Sequence, residues 1–373
     1  MDSCAKPHPA LFLPRQRLQP LLDLLSYAGY TILGPQLRDG AIVYAELTSV
    51  TELPHGIRIE QTPGRYTVNK TNDDHYFAWA NGAQALKPLT FAPRESLWQA
   101  QRNAAGLLQF QEIKPQSQPT AVFGVRACDL AALAIQERVF LASAVRDPYY
   151  AARRETLFLI AVNCSHPAAT CFCASTGDGP TATTHYDIVL TELAEGFILQ
   201  VGSERAAQLI QPLQLLPPED AHFFAAGRQH QEAVAAQSRS LPSRHLNETL
   251  FANLEHPYWE EIAAQCLACG NCTMVCPTCF CHSEQQQPQL DGSTTEQVRE
   301  WDSCFTQGHS YIHGTTVRQS TQLRYRQWIT HKLGSWHEQF GSSGCVGCGR
   351  CIAWCPVGID ITATVAAIVG ENG

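Results

Sequence analysis

Two stretches of the chain repeat one spacing of cysteines. Cys266, Cys269, Cys272 and Cys276 are followed by Pro277, and Cys345, Cys348, Cys351 and Cys355 by Pro356. Three thiols at two-residue spacing let one loop reach three corners of a small cube. The fourth, three residues further on, points away towards a second such body, and the proline removes a backbone N–H that would compete there. Gly270, Gly347 and Gly349 supply backbone freedom where these loops run close to inorganic sulfur. The spacing is that of two 4Fe–4S clusters. Structural zinc usually takes its four ligands as two separated pairs and fits this pattern poorly. In two-cluster ferredoxins the fourth cysteine serves the other cluster. The expected ligand sets are therefore Cys266, Cys269, Cys272 with Cys355, and Cys345, Cys348, Cys351 with Cys276. The chemistry implied is electron transfer, and neither run offers a substrate site.

The chain has sixteen cysteines, so eight lie outside these runs. The stretch Thr-Cys-Phe-Cys occurs twice, at 170–173 and 278–281. In extended backbone, residues two apart face the same way, so each pair can present two thiolates to one metal. Cys171 and Cys173 have Cys128 and Cys164 upstream, each just after a strand-like apolar run. Strand ends converging at one sheet edge would gather all four as a third 4Fe–4S cluster; zinc, a redox-active thiol site and unligated structural cysteines are the alternatives. Cys279 and Cys281 have only Cys304 nearby, one short of a cluster unless His282, Asp302 or Cys4 completes it. Buried thiols beside the clusters are the leading reading there. His309, His313, His331 and His337 lack a ligand pattern and read as surface or core histidines. Arg318, Arg324 and Arg326, interleaved with Tyr325 and Trp328, read as a helix face that docks an acidic partner. Arg126 reads equally as a group steadying a nearby thiolate and as a surface arginine.

These residues need elements to position them. At 373 residues the chain is long enough for two domains. The first part reads as mixed α and β. Ala41 to Val50 is a strand with Ile57 to Ile59 and Tyr66 to Val68 as partners. Ala121 to Val125 and Leu157 to Val162 are buried strands, with Asp129 capping a helix between them. Ile188 to Thr191 and Phe197 to Val201 form a hairpin. Beyond a seam at Pro242, Leu246 to Ala268 reads as one helix, Gln285 to Ser293 as a polar loop and the stretch from Thr294 as mostly helical. Ile361 to Val369 closes as a short helix. The expected class is α+β: a mixed α/β domain over residues 1–245, then a mainly helical ferredoxin-like domain over 246–373 carrying the two clusters.

A net charge of −8 argues against nucleic-acid binding. Charged residues make up 16% of the chain, against about 25% in typical soluble domains. That sparseness suits a subunit with large buried contacts, and equally a plain Gln- and Ala-rich composition. No apolar run approaches the ~18 residues of a membrane span, and Met1 to Pro20 lacks the apolar core of a secretory signal. A cytoplasmic location is expected, where so many cysteines point to metal rather than disulfides. No GxGxxG fingerprint or Walker A loop is present, so a nicotinamide site would lie on another subunit.

Further stretches carry a resemblance. They are Gly124-Val-Arg-Ala-Cys-Asp-Leu130, Asp147-Pro-Tyr-Tyr150, Asn163-Cys164 through Cys171-Phe-Cys173 to Gly179-Pro180, Cys276-Pro-Thr-Cys-Phe-Cys281, Trp301-Asp-Ser-Cys304 and Cys345-Val-Gly-Cys-Gly-Arg-Cys351. From about residue 120 onwards the chain resembles the iron–sulfur beta subunits of sulfhydrogenase-type nickel–iron hydrogenases. It is also similar to the iron–sulfur electron-transfer subunit of anaerobic sulfite reductases. Asp147 to Tyr150 and Asp187 to Glu192 favour the hydrogenase branch. The resemblance implies a non-catalytic electron-transfer subunit in a hetero-oligomer. Its partners would be a flavin and NAD(P)-binding subunit, together with the small and large nickel–iron hydrogenase subunits. The family also keeps the set Cys128, Cys164, Cys171 and Cys173, which supports a third cluster.

Overall fold

A computed structural model describes residues 9–103, 105–242 and 246–370. Its centre is a seven-stranded sheet, in spatial order Leu11–Pro14, Gly196–Val201, Ile188–Glu192, Leu157–Val162, Thr120–Val125, Thr31–Arg38 and Ala41–Glu46. The four inner strands from Ile188–Glu192 to Thr31–Arg38 run parallel. Parallel sheets bury both faces, and all six residues of Leu157–Val162 are buried. Side chains alternate between two cores. Phe158, Ile160 and Val162 face the core that holds Leu18, Leu21, Leu22 and Leu25 of helix Leu18–Tyr27. Leu157, Leu159 and Ala161 face Leu130, Leu133 and Phe140 of helix Ala127–Phe140. The hairpin expected at residues 188–201 is present as an antiparallel pair.

Asp129 does not cap its helix. Arg126 occupies the N-cap, and Asp129 lies in the first turn, committed to an ion pair described below. Strands Ile57–Thr62 and Arg65–Lys70 pair with each other in a separate ribbon rather than with Ala41–Glu46. That ribbon reaches the last cysteine run, where Gly64 N donates to Ile352 O at 3.0 Å. Gly64 has φ +73°, and a Cβ there would stand 2.9 Å from Cys355 O. Only glycine lets the turn approach so closely.

A second, antiparallel sheet runs His282–Pro288, Thr294–Trp301, Arg94–Arg102, Leu108–Glu112. It joins strands from both sides of residue 245. The polar loop expected at Gln285 to Ser293 is strand up to Pro288 and a turn beyond it, and the helical stretch expected from Thr294 begins only at helix Thr321–Thr330. The local sequence is too polar to show this. Pairing is imposed from a distance, with Arg299 bridging Glu95 at 2.7 Å and Asp147 at 2.6 Å. The helix expected over Leu246 to Ala268 is two helices, Leu246–Ala252 and Tyr258–Gln265, because Pro257 cannot continue the first. These helices, Thr321–Thr330 and Ile361–Val369 surround Trp259, Tyr325, Trp328 and Ile329. Phe172, from the first Cys-Phe-Cys, is fully buried in the same core. No helix among the described residues is long and apolar enough to cross a membrane.

Candidate iron–sulfur centres

Helix Tyr258–Gln265 ends at Cys266, and the chain then coils tightly. Ala268 and Gly270 take positive φ, and Ala268 N donates to Cys266 Sγ at 3.4 Å. Cys266, Cys269 and Cys272 line one cavity together with Cys355 and Cys351 of the distant run. Its walls include Phe305, Tyr325, Trp328 and Ile361, which exclude water. A neighbouring cavity is lined by Cys345, Cys348 and Cys351 with Cys276 of the first run. The structure therefore brings each fourth cysteine to the opposite run, with Cys351 lying between the two cavities. Burial pushes the Cys266 and Cys272 thiols up, and the neighbouring sulfurs add to it. Burial also holds Cys345 up at about 12. Thiols crowded in this way become thiolates when a cationic core draws off their protons.

A further observation fits an iron–sulfur core. The buried indole N–H of Trp328, which lines both cavities, has no acceptor among the described residues. Inorganic sulfide would supply one.

Cys276 differs from its neighbours. A hydrogen bond from Cys279 and, against the cost of burial, the charge of Lys332 hold it well below the ordinary thiol range. Lys332 is fully buried, with Nζ 3.4 Å from Cys276 Sγ, 2.8 Å from Thr278 Oγ1 and 3.0 Å from Gly344 O. It sits on a π-helical turn, His331–Ser335, a rare distortion that marks functional sites. Nothing in the sequence signals it.

The sheet positions the other group. Strands Thr120–Val125 and Leu157–Val162 are parallel neighbours, so their C-terminal ends share an edge. Cys128 and Cys164 follow those ends, Cys171 lies in the loop beyond, and Cys173 opens the short helix Cys173–Thr176. Burial raises Cys171 to about 12, with Cys164 as the next contributor. Cys173 is raised by burial, Cys171 and Cys164. Cys128 responds to burial, Asp129, Cys348 and Cys173. Cys128 and Cys173 pack in one cluster with Cys348, and Cys171 Sγ lies 3.9 Å from Cys348 O. Phe172 N donates to Gly347 O at 2.8 Å, locking this loop onto the last cysteine run. Gly347 has φ +62°, and a Cβ there would stand 2.5 Å from Cys173 N. Asn81 Nδ2 reaches Cys128 Sγ at 3.4 Å, and Gln237 Nε2 reaches Cys173 Sγ at 3.5 Å.

Arg126 is buried under Trp79, its guanidinium 4.0 Å from the ring centroid, with Nη2 donating to Phe77 O at 2.8 Å and Trp79 O at 2.9 Å. It is therefore no surface arginine, and its charge opposes the rise that burial imposes on the Cys164 thiol. Arg350, between Cys348 and Cys351, forms a bidentate pair with Asp129 at 2.7 and 3.0 Å, and both residues are almost wholly buried. The pair ties Cys128's helix to the last run. Of the arginines expected to form a docking face, Arg318 precedes helix Thr321–Thr330 and lines a cavity with Cys281, Arg324 is buried, and Arg326 pairs with Glu255 at 3.0 Å, while Tyr325 and Trp328 are core residues.

Among the histidines, His313 and His337 are exposed as expected. His309 and His331 instead line a cavity with Cys279, Cys281 and Cys304. Sequence reading missed this role of His309, because the turn that brings it back to Cys281 leaves no pattern. Cys4 lies outside the described residues.

Residues 265–359 match the family model of a 4Fe-4S dicluster domain. The chain is 31% identical over 280 residues to sulfhydrogenase 2 subunit beta of Pyrococcus furiosus, an alignment covering 74% of this chain and 79% of that relative. No solved structure matches it.

Proposed function

This chain belongs to the family of beta-type iron–sulfur subunits of hydrogenases, and we propose that it relays electrons between a flavin and NAD(P)-binding subunit on one side and the small and large subunits of a nickel–iron hydrogenase on the other. It is an electron-transfer iron–sulfur protein. The observation that carries the reading is the pair of cavities in which each run's first three thiols meet the other run's fourth. One 4Fe–4S cluster takes Cys266, Cys269, Cys272 and Cys355. The second takes Cys345, Cys348, Cys351 and Cys276. A third takes Cys128, Cys164, Cys171 and Cys173 in the α/β part, up to about residue 245, and the dicluster occupies the part beyond. The clusters supply one-electron redox chemistry at potentials set by charge, hydrogen bonds and burial.

The chain's own residues set those terms. Lys332 places a positive charge at Cys276, and Arg126 places another at Cys164. Each favours the more negative, reduced state of its neighbour. Tyr325, Trp328 and Phe305 keep water from the Cys266 cavity. Cys269 is exposed, beside exposed Leu267 and Val357, and forms the edge where a partner exchanges electrons with the relay. The Cys128 group lies at the other end, behind Cys348. The location is cytoplasmic, where thiols stay reduced for cluster assembly.

Purification of the tagged chain under argon, with metal analysis, tests this. Nickel and flavin should co-purify, and Cys128→Ala should carry about four irons fewer than wild type. Co-purifying siroheme without nickel would refute the hydrogenase assignment. An unchanged iron count in Cys128→Ala would refute the third cluster.

A further inference from the structure

Cys279, Cys281 and Cys304 belong to none of the sets above. With His309, Arg318 and Lys332 they line a cavity of about 150 Å³. A cysteine that merely fills a core is packed on all sides, and interiors hold few voids larger than water. These three face a void larger than the cavities of about 30 and 10 Å³ between the dicluster cysteines.

Cys281, Cys304 and His309 face this cavity together. His309 Nδ1 is bound to Asp302 Oδ2 at 2.6 Å, which leaves Nε2 as the nitrogen able to take a metal. Asp302 is itself pinned, since its Oδ1 accepts from Ser303 N and Thr306 Oγ1 at 2.7 Å each. A carboxylate that holds one ring nitrogen and so orients the imidazole is the usual support of a metal-bound histidine. The Phe280 ring anchors the Cys-Phe-Cys stretch between Phe140 and Trp336, with ring centroids 5.8 Å from each. The stretch repeats the Thr-Cys-Phe-Cys of residues 170–173.

We propose that Cys279, Cys281, Cys304 and His309 ligate an additional iron–sulfur cluster, distinct from the dicluster and from the Cys128 group. Three thiolates and a neutral imidazole make an anionic donor set, and Arg318 and Lys332 on the cavity wall offset its charge. The cavity of about 150 Å³ that these side chains share leaves room for a cluster. Cys279 N donates to Cys276 O at 3.4 Å, so the site adjoins the second cluster of the dicluster and forms a branch of the relay.

The test uses the anaerobically purified complex, with iron and acid-labile sulfide counted per chain. Cys281→Ala and Cys304→Ala should each lose about four irons and four sulfides, and the double variant no more than either single one. His309→Cys should keep the iron but remove a histidine-nitrogen coupling from the pulsed EPR spectrum of the reduced protein. Iron and sulfide unchanged in both alanine variants would overturn the proposal. So would alkylation of Cys281 by iodoacetamide in the untreated holoprotein without iron loss, since that would reveal a free thiol beside a His–Asp pair. The inference builds on the iron–sulfur reading of the chain but fails separately from it: Cys128→Ala reports on the third cluster whatever Cys281→Ala does.

Discussion

Replacing Cys355 by alanine distinguishes exchanged from local ligation. Cys355 shares a cavity with Cys266, Cys269 and Cys272, whereas its sequence neighbours Cys345 and Cys348 share theirs with Cys276. Cys355→Ala should therefore remove the cluster of the first run, at a cost of about four irons per chain. A single variant does not say which cluster has gone, but pairs do. Cys269→Ala with Cys355→Ala strikes the same cluster twice and should still lose about four irons. Cys348→Ala with Cys355→Ala strikes both clusters and should lose about eight. The mirror pair, Cys276→Ala with Cys348→Ala, should again lose about four. Iron and acid-labile sulfide counted on anaerobic protein, with EPR of the reduced state, give the numbers. If each run held its own cluster the pattern would invert, with about eight irons lost for Cys269→Ala with Cys355→Ala and about four for Cys348→Ala with Cys355→Ala. That inversion would refute the exchanged assignment.

Asp129→Asn should destabilise the protein by about 3–5 kcal/mol, because it strands the buried Arg350 guanidinium. Asp129→Leu combined with Arg350→Met should recover much of that, as read from denaturation midpoints under argon. Lys332→Met removes a unit charge 3.4 Å from Cys276 Sγ. It should lower that cluster's potential by on the order of 100 mV, taking an effective dielectric of about 20 and ~5 Å to the cluster; an EPR redox titration with no shift would contradict the placement. Asp360 caps helix Ile361–Val369 and pairs with Arg239 at 2.6 Å. Burial pushes its carboxyl up, but the hydrogen bonds from Arg239 and Thr362 outweigh it and hold it below the ordinary value. Its contribution is present above about pH 4 and is lost as pH falls below that. Asp360→Asn should cost about 1 kcal/mol at neutral pH and flatten the acid limb of stability. Gly347→Ala would drive a Cβ against the Cys173 backbone. It should lower the iron held by the Cys128 group while sparing the first run, which metal analysis of the variant would show.

The sequence by itself determined the dicluster. Two runs with two-residue spacings and a trailing Cys-Pro are legible because the cysteines of each run lie on one short continuous stretch of chain. It also determined the buried strand Leu157–Val162 and the hairpin at residues 188–201, whose apolar runs are driven by burial alone. Only the tertiary structure decided what depends on distant partners. The strand Thr294–Trp301 exists because Arg94–Arg102 lies beside it, and its polar sequence carries no period that announces this. Asp129 looks like a helix cap until Arg350 arrives from more than two hundred residues away. Lys332 and His309 stand in no motif; a π turn brings Lys332 to Cys276, and the fold brings His309 into the cavity lined by Cys281. Local spacing fixes which thiols share a loop; the packing of distant segments fixes which charges and nitrogens share their cavities.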